Sequence, residues 1–225
     1  MPTAFERRVL SVFADYKQSR RNPRILEVLD EHGTSLAHMT SVRPTPEHAR
    51  RIAEWRTRES RHFLTWLAVS ENDALTWIRQ AVLSRPDRIL FMIQTPEGVP
   101  VGHIGLTNFD FRLETCEIDY AVRGRRDLLP GIMSLAYHRI TLWALDDLGA
   151  RAIFGKTFES NVRSIEILKR CGYALVKRFP LQRTEEPGRV TWVECRPAPP
   201  RGAETRYGVE YARYRSPVEE TSTTP

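Results

Sequence analysis

Between Asn72 and Leu148 the hydrophobic period of this chain passes from helix to strand and back to helix, and that order is the strongest constraint on its fold. Leu75, Ile78 and Val82 line one face of a helix expected over Asn72 to Ser84. Ile89 to Gln94 (ILFMIQ) is then an apolar run of strand length, Pro96-Glu97-Gly98 a turn, and Val99 to Phe109 a second strand. Glu114 to Val122 (ETCEIDYAV) alternates, which places Cys116, Ile118, Tyr120 and Val122 on one face and Glu117 and Asp119 on the other. The loop VRGRRDLLPGIM leads into a helical stretch from Gly131 to Leu148, stopped by Gly149, with Ile132, Leu135, Ala136, Ile140 and Trp143 on its buried side. Strands and helices interleaved in this way predict an α/β (α+β) domain.

The flanks extend this pattern. Phe5, Val9, Val12, Phe13 and Tyr16 recur at helical steps, and Ile25 to Leu29 reads as a second short helix ending at Gly33, so residues 1–37 form a helical extension. Glu6 and Asp15 dilute the basic face that a membrane-surface helix would need. Thr45 before Pro46 and Glu47 supplies a cap, a first-turn proline and an acid at the positive helix end, predicting a helix to about Arg58. Ile153 to Phe158 is a strand, Asn161 to Cys171 a helix, and Gly172-Tyr173 opens a further strand. TEEPGR is the tip of a hairpin whose return arm is Val190 to Cys195, which closes the main domain, residues 38–195. Residues 196–225 read as a tail rich in Pro, Thr and charge. Only Tyr207, Val209 and Tyr211 alternate there, and the last ten residues are expected to be mobile.

Composition removes several function classes. The formal net charge is +6, but 30 of the 34 basic residues are arginine and only 4 are lysine. A phosphate-tracking surface has no physical need to exclude lysine, so the surplus is a weak argument for nucleic acid. Cys116, Cys171 and Cys195 are odd in number and far apart, which fits a reduced interior, and the histidines show no metal-ligand spacing. No apolar run approaches the roughly 20 residues that span a bilayer, and charge interrupts the first residues before a signal-peptide core forms. The expectation is a cytoplasmic protein with no metal, no nucleic-acid partner and no membrane partner.

The loop before the long helix carries the chemistry. A helix that starts at Pro130-Gly131 leaves backbone N–H groups unpaired at its positive end, where a pyrophosphate fits. Gly131 permits close approach, Pro130 fixes the entry of the chain, and Arg123, Arg125 and Arg126 crowd the same loop. The bland alternative is an ordinary helix start after a solvated basic loop. Asn161 can cap the next helix and Gly172 can end it.

The segments VPVGHIGL, EIDYAV, PGIMSLA and NVRSIEILKRCGY, in this order from about Ser41 to Phe179, resemble the GNAT superfamily of acyl-CoA-dependent N-acyltransferases. The last segment, with Ser164 and Leu168, is most similar to the ribosomal-protein and sugar-amine branch. The resemblance implies a central mixed, largely antiparallel sheet flanked by helices, and acetyl-CoA as co-substrate. The coenzyme would be held by Val122, Arg123, Arg125, Arg126, Pro130, Gly131, Ile132, Met133, Ser134, Asn161 and Ser164. Two departures stand out. Leu128, Leu129, Pro130, Gly131, Ile132 and Met133 replace a loop that usually begins with Arg or Gln and ends with Gly or Ala. Leu168 occupies a helix position where many relatives carry a tyrosine proton donor; the thiolate, a tolerable leaving group, would then depart without it.

Amide formation needs a neutral amine, a polarised thioester and close placement of the two. The expected roles are Val122 N–H as oxyanion donor, Glu117 as the base suggested by the resembled strand, and Asp119 as the second candidate base. A carboxylate structurally paired with arginine is the alternative reading of Glu117. His103, between Gly102 and Gly105, reads as a packed histidine, and His138 as a surface one. Trp55, Trp66 and Trp77 read as core, and Cys116 as buried on the face away from Glu117. The acceptor would enter between the first two helices of the main domain, the Glu117 strand and the hairpin around Thr184 to Arg189. It is expected to be a nucleotide-linked amino sugar or a small amine metabolite, with a protein N-terminus as an alternative. The extra segments at both ends suggest an acceptor pocket or a homodimer contact. Met133 and Leu168 also motivate a rival reading, a GNAT-like module that binds without catalysing.

Overall fold

In α1 (Ala4–Gln18) the residues spaced at helical steps, Phe5, Val9, Phe13 and Tyr16, are all buried. The computed structural model of the chain describes residues 1–18, 23–67, 69–186, 189–196 and 205–216. β1 (Ile25–Leu29) and β2 (Ser35–Ser41) form an antiparallel hairpin. This corrects the helix expected over Ile25 to Leu29. Leu26 and Val28 point inward while Ile25 and Leu29 are exposed, a period of two, and Asp30 Oδ1 accepts the N–H groups of His32 (2.9 Å) and Thr34 (2.8 Å) in the turn. α2 (Pro46–Arg58) starts as its cap predicts, with the Thr45 hydroxyl accepting from the His48 N–H at 3.3 Å. A 3₁₀ turn at Ser60–His62 leads to β3 (Thr65–Leu67). α3 (Glu71–Trp77) opens with a Ser70/Asp73 capping box and continues as a π-helical turn, Ile78–Leu83.

β4 (Ile89–Gln94), β5 (Pro100–Asp110) and β6 (Thr115–Arg123) form an antiparallel meander. α4 (Ile132–Leu142) then runs into a π-helical turn, Trp143–Asp147. β7 (Ala152–Phe158), α5 (Val162–Arg170), β8 (Ala174–Glu186), β9 (Arg189–Glu194) and β10 (Thr205–Tyr214) complete the described fold. The strands make one ten-stranded sheet in the order β1-β2-β4-β5-β6-β7-β10-β8-β9-β3. Among the described residues only β6 and β7 are parallel neighbours. β10 is the second correction. Part of what reads as a tail lies between β7 and β8, pairing with both and burying Val209, Tyr211 and Ala212. Residues 217–225, including most of the segment expected to be mobile, lie outside the described residues.

Helices cover both faces of the sheet, which explains the unbroken apolar run of β4: Phe91 packs toward α1 and α4, Leu90 and Met92 toward α2 and α3. On the first face Phe13 stacks on Trp143 with ring centroids 5.9 Å apart. The apolar side of α1 is therefore engaged by the core. On the second face Trp55 packs so closely over Gly124 that a Cβ there would lie 2.2 Å from the indole. No described helix is long and apolar enough to cross a membrane.

Candidate active site

β6 and β7 pair from Thr115 opposite Ala152 to Ile118 opposite Gly155, and there the ladder stops. Beyond Ile118, β6 bends away. Its pairing with β5 runs from Gly105 opposite Asp119 to His103 opposite Val122, which leaves one extra residue on β6, a bulge. Tyr120 absorbs the bend at φ 56°, a left-handed conformation that costs a non-glycine residue about 1 kcal/mol or more. Its carbonyl is held by His103 Nδ1 at 2.5 Å, and His103 stacks on Trp55. Burial and the nearby Arg56 push the His103 pKa down to about 3, so the ring is neutral and donates from Nδ1. His103 is packed, as its sequence context suggests.

The bulge overturns part of the expected alternation. An extra residue reverses the parity of the strand, so Val122 faces α2 with Glu117 and Asp119, and Tyr120 packs against Trp77 on that face, while Cys116 and Ile118 stay on the other. Cys116 is fully buried, and burial raises its thiol pKa out of the reactive range.

The divergence of β6 and β7 opens a cleft of about 730 Å³. At one end stands the start of α4. Gly131 adopts φ 81°, and a Cβ on it would meet nothing within 4 Å. No side chain caps the helix, and neither the Gly131 nor the Met133 N–H has a hydrogen-bond partner among the described residues. Such orphan donors at a positive helix end fit a pyrophosphate. The three loop arginines do different things. Arg123 donates to the Leu128 and Leu129 carbonyls and braces the loop from within. Arg125 forms a two-bond pair with Asp127 and does not line the cleft. Arg126 lines it, tied to Glu59 at 2.7 Å.

Pro130, Met133 and Ser134 also line the cleft, and Ile132 is buried in the core instead. From α5 come Asn161, which caps Ser164 N–H at 3.4 Å and donates to Thr157 Oγ1 at 3.0 Å, together with Ser164 and Leu168.

The two candidate carboxylates part company. Glu117 Oε1 pairs with Lys156 at 2.6 Å, Glu117 Oε2 accepts from Asn108 at 3.1 Å, and the residue does not line the cleft. Its partner is thus a lysine rather than the arginine of the structural alternative. Asp119 does line the cleft. Its carboxylate is enclosed by protein yet open to solvent through the cleft, with Oδ1 accepting the Tyr120 N–H at 2.6 Å. Burial raises its pKa above the ordinary Asp range and Glu117 adds to the rise, against the Tyr120 N–H and Arg56.

Tyr137, one helical turn after Met133, lines the cleft from the α4 side, and burial together with the Asp119 charge keeps its phenol protonated. Nothing in the sequence distinguished Tyr137 from the apolar residues around it in α4. Arg61 and His62, also missed, reach the cleft from the turn after α2, whereas Thr184 and Arg189 of the hairpin do not line it. Trp55 is core, Trp77 is partly buried, and the Trp66 side chain lies outside the described residues. Among the described residues no group of three or more His, Cys, Asp or Glu is placed to hold a metal ion.

Comparison with known proteins agrees with this geometry. No curated protein matches the chain by sequence. Solved structures do match its fold. A GNAT-family acetyltransferase from Bacillus anthracis superposes with a TM-score of 0.59 at 14% identity, over 80% of this chain and 95% of that one. Spermidine N-acetyltransferase SpeG from Vibrio cholerae, solved as a point mutant, gives 0.61 at 10% identity over 81% and 96%. The microcin C7 self-immunity acetyltransferase MccE, solved with acetyl-CoA and AMP, gives 0.58 at 15% identity over 80% and 93%. The family model for the acetyltransferase (GNAT) domain matches residues 39–174, more than half of the sequence. With that match, the splayed strands and the uncapped glycine helix start belong to one machine: the chain is a member of the GNAT acetyltransferase family, an acetyl-CoA-dependent N-acetyltransferase.

Proposed function

We propose that this enzyme acetylates the primary amine of a small acceptor, with a nucleotide-linked amino sugar as first class and a small amine metabolite as second, by direct attack in a ternary complex. The observation that carries the reading is the cleft itself, with a phosphate-ready helix start at one end and an open carboxylate, Asp119, on its floor. The Asn161, Ser164 and Leu168 pattern of α5, similar to the ribosomal-protein and sugar-amine branch, supports the substrate class.

Bound acetyl-CoA supplies the activated acyl group, and the protein does the rest. Gly131, Met133 and Arg126 hold the pyrophosphate. The β6 backbone from Tyr120 to Arg123 has no strand opposite it on the cleft side, and one of its backbone N–H groups is the proposed donor to the developing oxyanion; the Val122 N–H, opposite His103 in the β5 ladder, gives up that role to its neighbours. Asp119 takes the ammonium proton; burial raises its pKa toward that of the amine and makes the transfer less uphill. As the C–S bond breaks, the electron pair goes to sulfur. The Tyr137 phenol gives sulfur its proton and recovers one from the Asp119 side of the cleft. The second amine proton, made acidic once the C–N bond has formed, leaves to solvent through the cleft to give the neutral amide and the free thiol. This assigns a donor despite Leu168 and moves the base from Glu117 to Asp119. The test is acetyl-CoA-dependent thiol release across amino sugars, polyamines and peptides, with the melting temperature read alongside. Saturating acetyl-CoA should raise Tm measurably, and no shift at millimolar concentration would sink the enzyme reading.

A further inference from the structure

A second cavity of about 530 Å³ shares Arg61, His62 and Ser160 with the cleft and continues past them to Arg206 and Tyr207 at the start of β10. It contains none of the α4 residues around Gly131. It lies beside the Phe158, Phe179, Leu181 and Trp192 cluster, where Arg206 sits over the Trp192 ring at 4.8 Å and the Phe158 ring at 5.3 Å. Aromatic faces orient a guanidinium without neutralising it.

The charge of this wall is unbalanced because its acids are already engaged. Glu159 makes two hydrogen bonds to Arg178, at 2.6 and 2.9 Å. Glu59 is shared between Arg58 at 2.9 Å and Arg126 at 2.7 Å. Arg61 donates to His62 Nε2 at 3.2 Å, and neither Arg61 nor Arg206 has a carboxylate partner among the described residues. His62 registers the resulting field: burial lowers its pKa first, and Arg61, Arg163 and Arg126 lower it further against Glu59. Two guanidiniums and a serine lining one cavity offer more donors and more charge than one carboxylate can use, which matches a phosphate dianion.

We infer that Arg61, Arg206 and Ser160 form an anion subsite that binds a phosphate group carried by the amine acceptor. The inference rests on the acetyltransferase reading and narrows it. An acceptor with phosphate at one end and amine at the other would anchor at β10 and extend its amine into the cleft toward Asp119. A polyamine would meet like charge at the same place and is disfavoured.

The experiment compares matched amines, glucosamine against glucosamine 6-phosphate and ethanolamine against phosphoethanolamine, with spermidine as the cationic control. The readout is kcat/KM for thiol release from acetyl-CoA. The phosphorylated member of a pair should be preferred by roughly 10- to 100-fold, as charge-assisted contacts of this kind provide. Arg61→Gln with Arg206→Gln should erase that preference while the KM for acetyl-CoA stays within about twofold. Equal rates within the pairs, a preference for spermidine, or a preference that survives the double variant would overturn the subsite. So would a large rise in the KM for acetyl-CoA, which would give these arginines to the coenzyme. Inorganic phosphate added to acetyl-CoA-saturated protein separates the two levels of failure. A Tm rise that the double variant lacks supports the subsite even when no amine in the panel reacts, and an identical response in both proteins refutes it.

Discussion

Up to Ile118, β6 has a strand on each side; beyond it only β5 remains alongside, and a bulge turns the backbone toward the cleft. Glu117 belongs to the first half and Asp119 to the second. In the paired half, β7 brings Lys156 across the ladder, and the Glu117 carboxylate is held in an ion pair that Glu210 of β10 extends at 3.2 Å from the same lysine. In the splayed half no cation makes an ion pair with Asp119 among the described residues, and the group faces the cleft. Side-chain chemistry is nearly the same in the two positions. What differs is whether the neighbouring strand is there to occupy the carboxylate.

The sharpest way to break this contrast is to neutralise each acid in turn. Asp119→Asn should lower kcat by about 10²- to 10⁴-fold, the usual contribution of a positioned base, while Glu117→Gln should change it by no more than about threefold. The reverse ranking would return the base role to Glu117. Next in size, Tyr137→Phe should cost about 10²-fold in kcat with little change in the KM for acetyl-CoA, and a thiol leaving group with a lower pKa should recover part of the loss.

His103→Phe removes the donor to the Tyr120 carbonyl and should destabilise the fold by about 1–3 kcal/mol in urea unfolding. It should also lower kcat, because the bulge loses its brace.

The pH profile follows from the raised Asp119 pKa. Activity should be lost as pH falls through a value above the ordinary Asp range, and Asp119→Asn should lack that limb. The smallest effect concerns stability. A folded-state pKa raised above the unfolded value contributes stability that is full below the unfolded pKa and lost as pH rises through the folded one. Asp119→Asn should therefore melt slightly higher than the parent at neutral pH, with the gap closing in acid. No such gap would mean that the enclosed carboxylate carries no strain.

How much of this was legible in the sequence depended on whether the information was local. The α2 cap at Thr45, the β4 run and the helix start at Gly131 are written in adjacent residues, and each stands where its motif puts it. The β1–β2 hairpin had a local signal too, Asp30 and Gly33 between two alternating runs, but its closely spaced apolar residues also satisfy a short helix. The bulge could not be read this way. Its cause is the register between β5 and β6 and the His103 contact across them, so the alternation of ETCEIDYAV misassigned Tyr120 and Val122. Likewise the choice between Glu117 and Asp119 depends on Lys156, which comes from a strand far along the chain. The arginines of the loop advertised an anion site through their number. Their partners then assigned Arg123 to bracing the loop and Arg125 to Asp127, and left Arg126, paired with Glu59, on the cleft wall.

The central place of β10 bears on the order in which the enzyme is built. β7 forms one wall of the cleft, but the strand that covers its other edge is encoded only after the whole β8–β9 hairpin. A growing chain that has made β7, α5 and the hairpin still holds an open, hydrogen-bonding edge beside its future active site, and Lys156 still lacks Glu210. Closing it requires a long-range insertion between two strands that are already present, a slow kind of pairing. The site is thus finished late, and β7 is the edge that is open to wrong partners until then.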